Sequence, residues 1–276
     1  MKVDSLPPIF RDQNTADRNV VLEETPKDIE EDDDVVPIID LERPNPEKIG
    51  EACKDWGLFR LVNHGVPLTL LTQLQDHARD LFSLSFERKQ SLFSTPLSYF
   101  WGTPALTPSG TALSRGPQNM NWVEGLNVPL GQLSELEAGD HTKLDSFRVL
   151  LEEYGRHLVR ITSKVFAVMS KNLNLNPEQT KSYLSESTGF IRVYRYPQCS
   201  LASEEAWGMD VHTDSSVVSI LNQDQVGGLE LLKDDKWLKV KPITDTLILN
   251  LGDMMQVSLF LSLYSMYIYS LSLIRL

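Results

Sequence analysis

The sequence is poor in cysteine, in basic charge and in long charge-free apolar runs near its start, and each shortage excludes a class of protein. Only Cys53 and Cys199 occur in 276 residues, too few for a disulfide scaffold, and we expect both to be small buried residues. Acidic residues outnumber basic ones by 38 to 26, which argues against a nucleic-acid partner. Charges occupy the N-terminus where a secretory signal needs an apolar run. We therefore expect a cytoplasmic protein.

The composition that remains is that of a globular protein with a polar leader. Hydrophobic residues make up 41% and charged residues 23%, and the length allows one large domain or two smaller ones. Residues 1–34 hold eleven acidic and four basic residues, which is more than half of the net charge of −12. We expect these residues to form a disordered acidic leader, with order beginning at residue 35.

Hydrophobic periodicity predicts a mainly helical first half. Apolar residues that recur every three or four positions predict helices, and short β-branched runs predict strands. The predicted segments are a strand at 35–41, a helix at 46–56, a strand at 58–63 and helices at 68–84, 141–173 and 177–185. Between them, residues 94–135 are rich in proline, glycine, serine and threonine, which predicts a long ordered loop with short strands.

The pattern changes to that of strands from residue 189. The predicted strands are 190–196, 217–221, 229–232, 237–240 and 247–251. Their spacing of about ten residues favours an antiparallel sandwich or barrel. The sequence therefore predicts an α+β fold, in which a helical first half is followed by a jelly roll.

The triplet His212-Thr213-Asp214 is the candidate metal site. Residues two apart in an extended segment face the same side, so this imidazole and this carboxylate can converge on one ion. Two histidines and one carboxylate on one face are the ligands of non-haem iron(II) oxygenases. Such a triplet also arises by chance, so its context decides its meaning.

Six sequence blocks supply this context. They are Val36–Leu41, Trp56–Pro67, Arg192–Pro197, His212–Asp214, Gln225–Leu229 and Asn250–Met254. With these blocks, in this order, the chain resembles the plant 2-oxoglutarate- and iron(II)-dependent dioxygenases, and it is most similar to the gibberellin oxidases. The resemblance implies an N-terminal region at 35–135, a helical segment at 136–188 that packs on the sheet, and a double-stranded β-helix core at 189–257.

The resemblance also implies an activity and its cofactors. Iron(II) is expected at His212 and Asp214, with 2-oxoglutarate and O2 as co-substrates and ascorbate as a supporting reductant. Conversion of 2-oxoglutarate into succinate and CO2 would drive oxidation of a small organic substrate, with gibberellin as the candidate. Tyr196, which precedes Pro197, is implied to contact 2-oxoglutarate, although Tyr194 stands where the family usually carries asparagine. We expect a monomer.

Other aromatic and histidine residues have two interpretations. Trp101, Trp122 and Asn127 either shape a substrate pocket or pack in the core. His64 belongs to the Asn-His-Gly turn, for which the resemblance implies a structural role.

The chain departs from the family pattern after Val257. The family's distal histidine ligand and 2-oxoglutarate-binding arginine have no counterpart, because no histidine follows His212 and the only later arginine is Arg275. Residues 258–276 carry no charge before Arg275, and we interpret them as an aberrant apolar tail of a C-terminally truncated family member, produced by a retained intron or a gene-model error. Two alternatives stay open: a catalytically inactive or binding-only chain, and a tail that anchors the protein in a membrane.

Overall fold

The chain folds into helices and small β-sheets. This computed structural model describes residues 3–11, 36–93, 97–103, 120–135, 142–172, 189–198, 208–258 and 267–269. The helices in these ranges are α1 (Pro46–Asp55), α2 (Leu68–Phe82), α3 (Phe86–Leu92), α4 (Thr142–Asn172) and α5 (Asp253–Ser258). The strands are β1 (Ile38–Asp40), β2 (Leu58–Val62), β3 (Ser98–Trp101), β4 (Glu124–Pro129), β5 (Phe190–Arg195), β6 (Val218–Leu221), β7 (Leu229–Lys233), β8 (Lys236–Val240), β9 (Leu247–Leu251) and β10 (Tyr267–Tyr269). The predicted helix at 177–185 lies outside the described residues.

Helix α1 shows how local sequence sets the element boundaries. The Asn45 side chain accepts hydrogen bonds from the amides of Glu47 and Lys48, at 2.9 and 3.2 Å, and thereby caps the helix. Gly57 then adopts a φ of 64°, which ends the helical run. The inner face includes Cys53, whose thiol pKa is raised to about 12 by burial, so this cysteine is the small buried residue that was predicted. Cys199 lies outside the described residues.

The first sheet joins the two halves of the chain. Its strand order is β1-β2-β9-β6, with β1 parallel to β2 and the other neighbours antiparallel. The other sheets have the orders β10-β7-β8 and β3-β4-β5. The mixed α+β class is therefore confirmed, whereas the described strands do not show closure into one jelly roll, and that part stays a prediction.

The main core combines buried side chains of α1, α2 and α4 with those of the first sheet. Phe147 and Ile161 of α4 belong to the same buried cluster as Leu247 and Leu249 of β9. Full burial of a side chain of this size stabilises the fold by about 1.5–3 kcal/mol. The helix predicted at 141–173 is confirmed, and it packs against α1 and α2 and shares its buried cluster with β9.

The acidic leader is partly ordered. Residues 3–11 form two short 3-10 turns, in which Leu6 and Phe10 are buried against Trp122. The expectation of disorder over residues 1–34 is therefore wrong for this stretch, because two apolar side chains in it reach the aromatic cluster. Residues 12–35 lie outside the described residues.

The tail contributes backbone to a sheet. In β10, Ile268 pairs with Leu231 of β7 in antiparallel register. The helices in the described ranges include none that is both long and apolar enough to cross a bilayer. The remainder of residues 259–276 lies outside the described residues.

Candidate metal and co-substrate site

The structure brings His212 and Asp214 together. Their Nε2 and Oδ1 atoms lie 3.7 Å apart, and the two side chains are 33% and 30% exposed. Nitrogen and oxygen donors bind a divalent ion such as zinc at about 2.0–2.2 Å, so one ion can contact both atoms. Both side chains are also open to solvent, which gives an ion a path to them. The pair therefore fits two positions of an iron coordination shell.

The His212 ring is held in the form that a metal ligand needs. Its Nδ1 lies 2.8 Å from the carbonyl oxygen of Asp210. Because a carbonyl oxygen only accepts, this contact assigns the ring proton to Nδ1 and leaves the Nε2 lone pair free to bind a metal. The Asp210 amide donates to Asn121 Oδ1 at 2.9 Å, so the loop before His212 is fixed to the segment that precedes β4.

The carboxylate of Asp214 is oriented by two strands of the first sheet. Its Oδ2 accepts a hydrogen bond from Asn250 Nδ2 at 2.8 Å and another from the Ser219 hydroxyl. Oδ1 is the oxygen that faces His212. Groups that orient ligands in this way are worth roughly 10- to 100-fold in metal affinity or activity.

The turn after β9 makes hydrogen bonds to the triplet His212-Thr213-Asp214. The Asp253 amide donates to the Asp214 carbonyl at 2.7 Å, and the Thr213 hydroxyl donates to Asp253 Oδ2 at 2.7 Å. At Gly252 a Cβ atom would lie 2.0 Å from the Ser216 carbonyl oxygen, so only glycine allows this approach. The sequence analysis identified the block Asn250–Met254 only through the family resemblance, and it assigned these residues no role in orienting Asp214. The polar Asn250 within the apolar run of β9 is the sequence signal that could have indicated such a role.

Tyr196 directly follows β5 and lies in a small buried cluster. It is 3% exposed and packs with Val123, Tyr194 and Met209, and its ring centre is 6.2 Å from that of Tyr194. Burial raises the pKa of the Tyr194 phenol, Arg192 opposes the rise and the charge of Asp214 adds to it. Tyr194 is therefore within electrostatic range of the candidate ligand, and the contact of Tyr196 with 2-oxoglutarate stays a prediction.

The tryptophans proposed for a substrate pocket lie among aromatic side chains. The rings of Trp101 and Trp122 meet edge to face at 5.5 Å, and Phe10 lies 5.0 Å from Trp122. Asn127 accepts a hydrogen bond from Arg192 Nε at 2.9 Å, across the β4–β5 pair. The described contacts therefore favour the packing interpretation for the two tryptophans.

His64 occupies the turn after β2. It is 2% exposed, its Nδ1 accepts from the Val66 amide at 3.1 Å, and Arg160 donates to its carbonyl at 2.7 Å. Burial lowers the pKa of this imidazole, while Asp245 opposes the shift. The ring thus serves the turn, as the resemblance implied.

No third ligand joins the pair within the described ranges, where no group of three His, Cys, Asp or Glu side chains is placed to hold a metal.

Family models match both halves of the chain. A model of the 2OG-Fe(II) oxygenase superfamily matches residues 187–266, and a model described as non-haem dioxygenase in morphine synthesis N-terminal matches residues 36–142. The two matches place most of the chain within the non-haem iron oxygenases, whereas the role of His212 and Asp214 as ligands stays a prediction. The first match continues past Val257, so the family likeness extends beyond the point at which the sequence pattern departs.

Individual relatives agree with these matches. Gibberellin 2-beta-dioxygenase 6 of Oryza sativa subsp. japonica is 33% identical over 238 residues, which cover 80% of this chain and 64% of that protein. Gibberellin 2-beta-dioxygenase 8 of Arabidopsis thaliana is 33% identical over 212 residues, covering 76% and 58%. The chain belongs to the 2OG-Fe(II) oxygenase family, and it spans less than two thirds of the length of these relatives.

Solved structures share the architecture. The crystal structure of JOX2 in complex with 2OG, Fe, and JA has a TM-score of 0.63 at 27% identity and covers 84% of this chain and 72% of that chain. The 2-oxoglutarate complex of the dioxygenase for auxin oxidation 1 from Arabidopsis thaliana has a TM-score of 0.66 at 24% identity, covering 85% and 86%, which is a likeness of fold alone.

Proposed function

We propose that the chain is a 2-oxoglutarate- and iron(II)-dependent dioxygenase that oxidises a small plant metabolite, with a gibberellin as the candidate substrate. The observation that carries the proposal is the 3.7 Å approach of His212 Nε2 to Asp214 Oδ1. The substrate class is supported by the relatives, since both proteins named above are gibberellin 2-beta-dioxygenases.

The two proposed ligands have complementary tasks. His212 offers Nε2 to the metal, because its Nδ1 is engaged with the Asp210 carbonyl. Asp214 offers a carboxylate oxygen of fixed direction, because Asn250 and Ser219 hold the other oxygen. Iron(II), when bound, supplies O2 activation coupled to decarboxylation of 2-oxoglutarate.

The proposed co-substrate face is formed by Arg192 and Tyr194 on β5 and by Tyr196, which directly follows this strand. Residues two apart on a strand share a face, so these three side chains project together. Arg192 Nη1 lies 3.4 Å from the Tyr194 hydroxyl, which places a guanidinium at one end of the row. Tyr196 is our candidate for the 2-oxoglutarate contact, and its burial would exclude water from that end.

A polypeptide of residues 1–276 supplies two of the three protein ligands that the resemblance implies. We infer that its iron affinity and turnover are impaired. Even the loss of a group that merely orients a ligand lowers metal affinity or activity by roughly 10- to 100-fold. The alternative is a chain that binds 2-oxoglutarate or another small molecule without turnover. The closed β-helix over residues 189–257, a cytoplasmic location and a monomeric state also belong to this proposal.

Succinate release from 2-oxoglutarate, measured with iron(II), ascorbate and candidate gibberellins, tests the activity. We expect slow release that requires iron and disappears in His212→Ala. A matched control is His77→Ala, because His77 is a part-exposed histidine on α2 whose Nδ1 lies 2.9 Å from the Gln73 carbonyl oxygen. Release that persists in His212→Ala would contradict the proposal. No release in wild type, together with 2-oxoglutarate binding, would favour the binding-only alternative.

A further inference from the structure

A buried group of charges lies behind the co-substrate face. Lys89 and Glu124 are fully buried, and Arg195 is 1% exposed. Glu124 Oε1 accepts from Arg195 Nη1 at 2.7 Å, and Oε2 accepts from Lys89 Nζ at 2.5 Å and from the Tyr99 hydroxyl at 2.6 Å. One carboxylate therefore connects α3, β3 and β5 to its own strand β4.

The charges in this group do not cancel. Two cations face one carboxylate, and backbone carbonyls supply the remaining acceptors. The Phe82 carbonyl accepts from Arg195 at 2.6 Å and from Lys89 at 3.2 Å, and the Ser5 carbonyl accepts from Lys89 at 2.9 Å. Burial lowers the pKa of Lys89, and Glu124 opposes that shift. Loss of the Glu124 charge would leave the two buried cations without their hydrogen-bonded carboxylate, with only the more distant Asp4 charge acting on Lys89, which is a costly arrangement.

The register of the sheet connects this group to the tyrosines. Glu124 and Arg195 are directly paired across β4 and β5. Because strand side chains alternate, the anchoring of Arg195 on one face sets the positions of Tyr194 and Tyr196 on the other. The neighbours of Glu124 complete the contact: Val123 packs with Tyr196, and Gly125 pairs with Tyr194.

We propose that Glu124 is a positioning residue, which acts through Arg195 to hold Tyr194 and Tyr196 at the co-substrate face. The part of this proposal that concerns 2-oxoglutarate binding depends on the proposed function. The part that concerns the positions of Tyr194 and Tyr196 depends only on the contacts described above.

Nitration of tyrosines by tetranitromethane, mapped by mass spectrometry, tests the positioning directly. The variants are Glu124→Gln, which keeps the shape but removes the charge, and Glu124→Gln with Lys89→Met, which also removes one cation and restores the net charge of the group. We expect nitration of Tyr194 and Tyr196 to rise in the first variant and return towards the wild-type level in the second. Tyr154, which is buried on α4, reports global unfolding and should stay protected.

The affinity for 2-oxoglutarate, measured anaerobically by calorimetry with cobalt(II) present, is the second readout. We expect the affinity for 2-oxoglutarate to fall about tenfold in Glu124→Gln and to recover in the double variant. A loss of this size lies within the range observed when a group that orients a ligand is removed. The matched control is Glu152→Gln, which removes a part-exposed carboxylate paired with Arg148 on α4 and should change neither readout.

Each outcome decides the proposal. Unchanged nitration of Tyr194 and Tyr196 in Glu124→Gln would overturn it, and so would a parallel rise at Tyr154, failure of both variants to fold, or the absence of recovery in the double variant. If wild type binds no 2-oxoglutarate, the proposed function fails, whereas the nitration pattern still decides the role of Glu124.

Discussion

Ser219 on β6 and Asn250 on β9 are directly paired, and both donate hydrogen bonds to the same oxygen of Asp214. The carboxylate of Asp214 is thus held through Oδ2 by two side chains on adjacent strands. Its other oxygen, Oδ1, faces His212. The site is therefore built on rigid sheet positions rather than on the His212 loop alone, which is what a metal ligand of defined direction requires.

Removal of the Asn250 amide should weaken metal binding. In Asn250→Ala, Oδ2 of Asp214 loses a buried donor, and we expect a loss of roughly 10- to 100-fold in affinity for iron(II) or cobalt(II). Anaerobic calorimetry measures this change. Asn172→Ala is the control, since Asn172 on α4 donates to the Pro46 carbonyl. Equal affinity in Asn250→Ala and wild type would show that this amide does not orient the ligand.

A methyl group at Gly252 should disrupt the turn beneath the triplet. Because its Cβ would lie 2.0 Å from a backbone oxygen, the chain must shift, and we expect Gly252→Ala to lower the free energy of unfolding by about 1–3 kcal/mol. Chemical denaturation measures this. In Gly155→Ala the nearest atom is the end of the Leu130 side chain at 3.0 Å, so this control should be tolerated better. A smaller loss in Gly252→Ala than in Gly155→Ala would contradict the expectation.

The packing of residues 3–11 should contribute to stability. Phe10 is 5% exposed between two tryptophans, and truncation of a buried phenylalanine to alanine costs about 3–5 kcal/mol. We expect Phe10→Ala to approach the lower end of this range, because the residue lies in a terminal segment. Ile9 is 63% exposed, and Ile9→Ala should have little effect in the same thermal or chemical denaturation. Similar stabilities of the two variants would mean that this segment does not remain docked in solution.

The buried imidazole of His64 should make stability depend on pH. Its pKa is lower in the folded chain than in the unfolded chain, so the unfolded chain binds the proton first as pH falls. The stability associated with neutral His64 is present above the unfolded value near 6.5 and decreases as pH falls through the folded value, with a slope of at most about 1.4 kcal/mol per pH unit. Protonation would also remove the acceptor for the Val66 amide. Denaturation curves of wild type and His64→Asn between pH 7 and 5 should diverge, and parallel curves would refute this role.

Much of the fold was predictable because apolar periodicity is local. The helices α1, α2 and α4 follow apolar residues at three- and four-residue spacings, and the strands of the second half follow short apolar runs, of which β9 is buried throughout. The helix α3 was missed because it is short, although Ser85 accepts from the Arg88 amide in the manner of a helix cap. The pairing of β2 with β9 was also missed, because it depends on long-range contacts that leave no local pattern.

The site was predictable in part for the same reason. The spacing of His212 and Asp214 indicates a shared face from two residues alone, and the structure brings the two groups together as expected. The orienting roles of Ser219, Asn250 and Asp253 depend on strand register and on one turn, so they required coordinates. The Glu124 cluster was equally hidden, since nothing in the local sequence indicates that Lys89 and Arg195 reach the same carboxylate.

The central claim is that His212 and Asp214 bind one iron(II) ion. Anaerobic titration of iron(II) into wild type, His212→Ala, Asp214→Ala and the control His77→Ala tests it most directly. The account predicts saturable binding of one ion in wild type and His77→Ala, with an affinity reduced by about tenfold or more when either ligand is removed. Equal affinities in all four proteins, or no saturable binding in wild type, would contradict it.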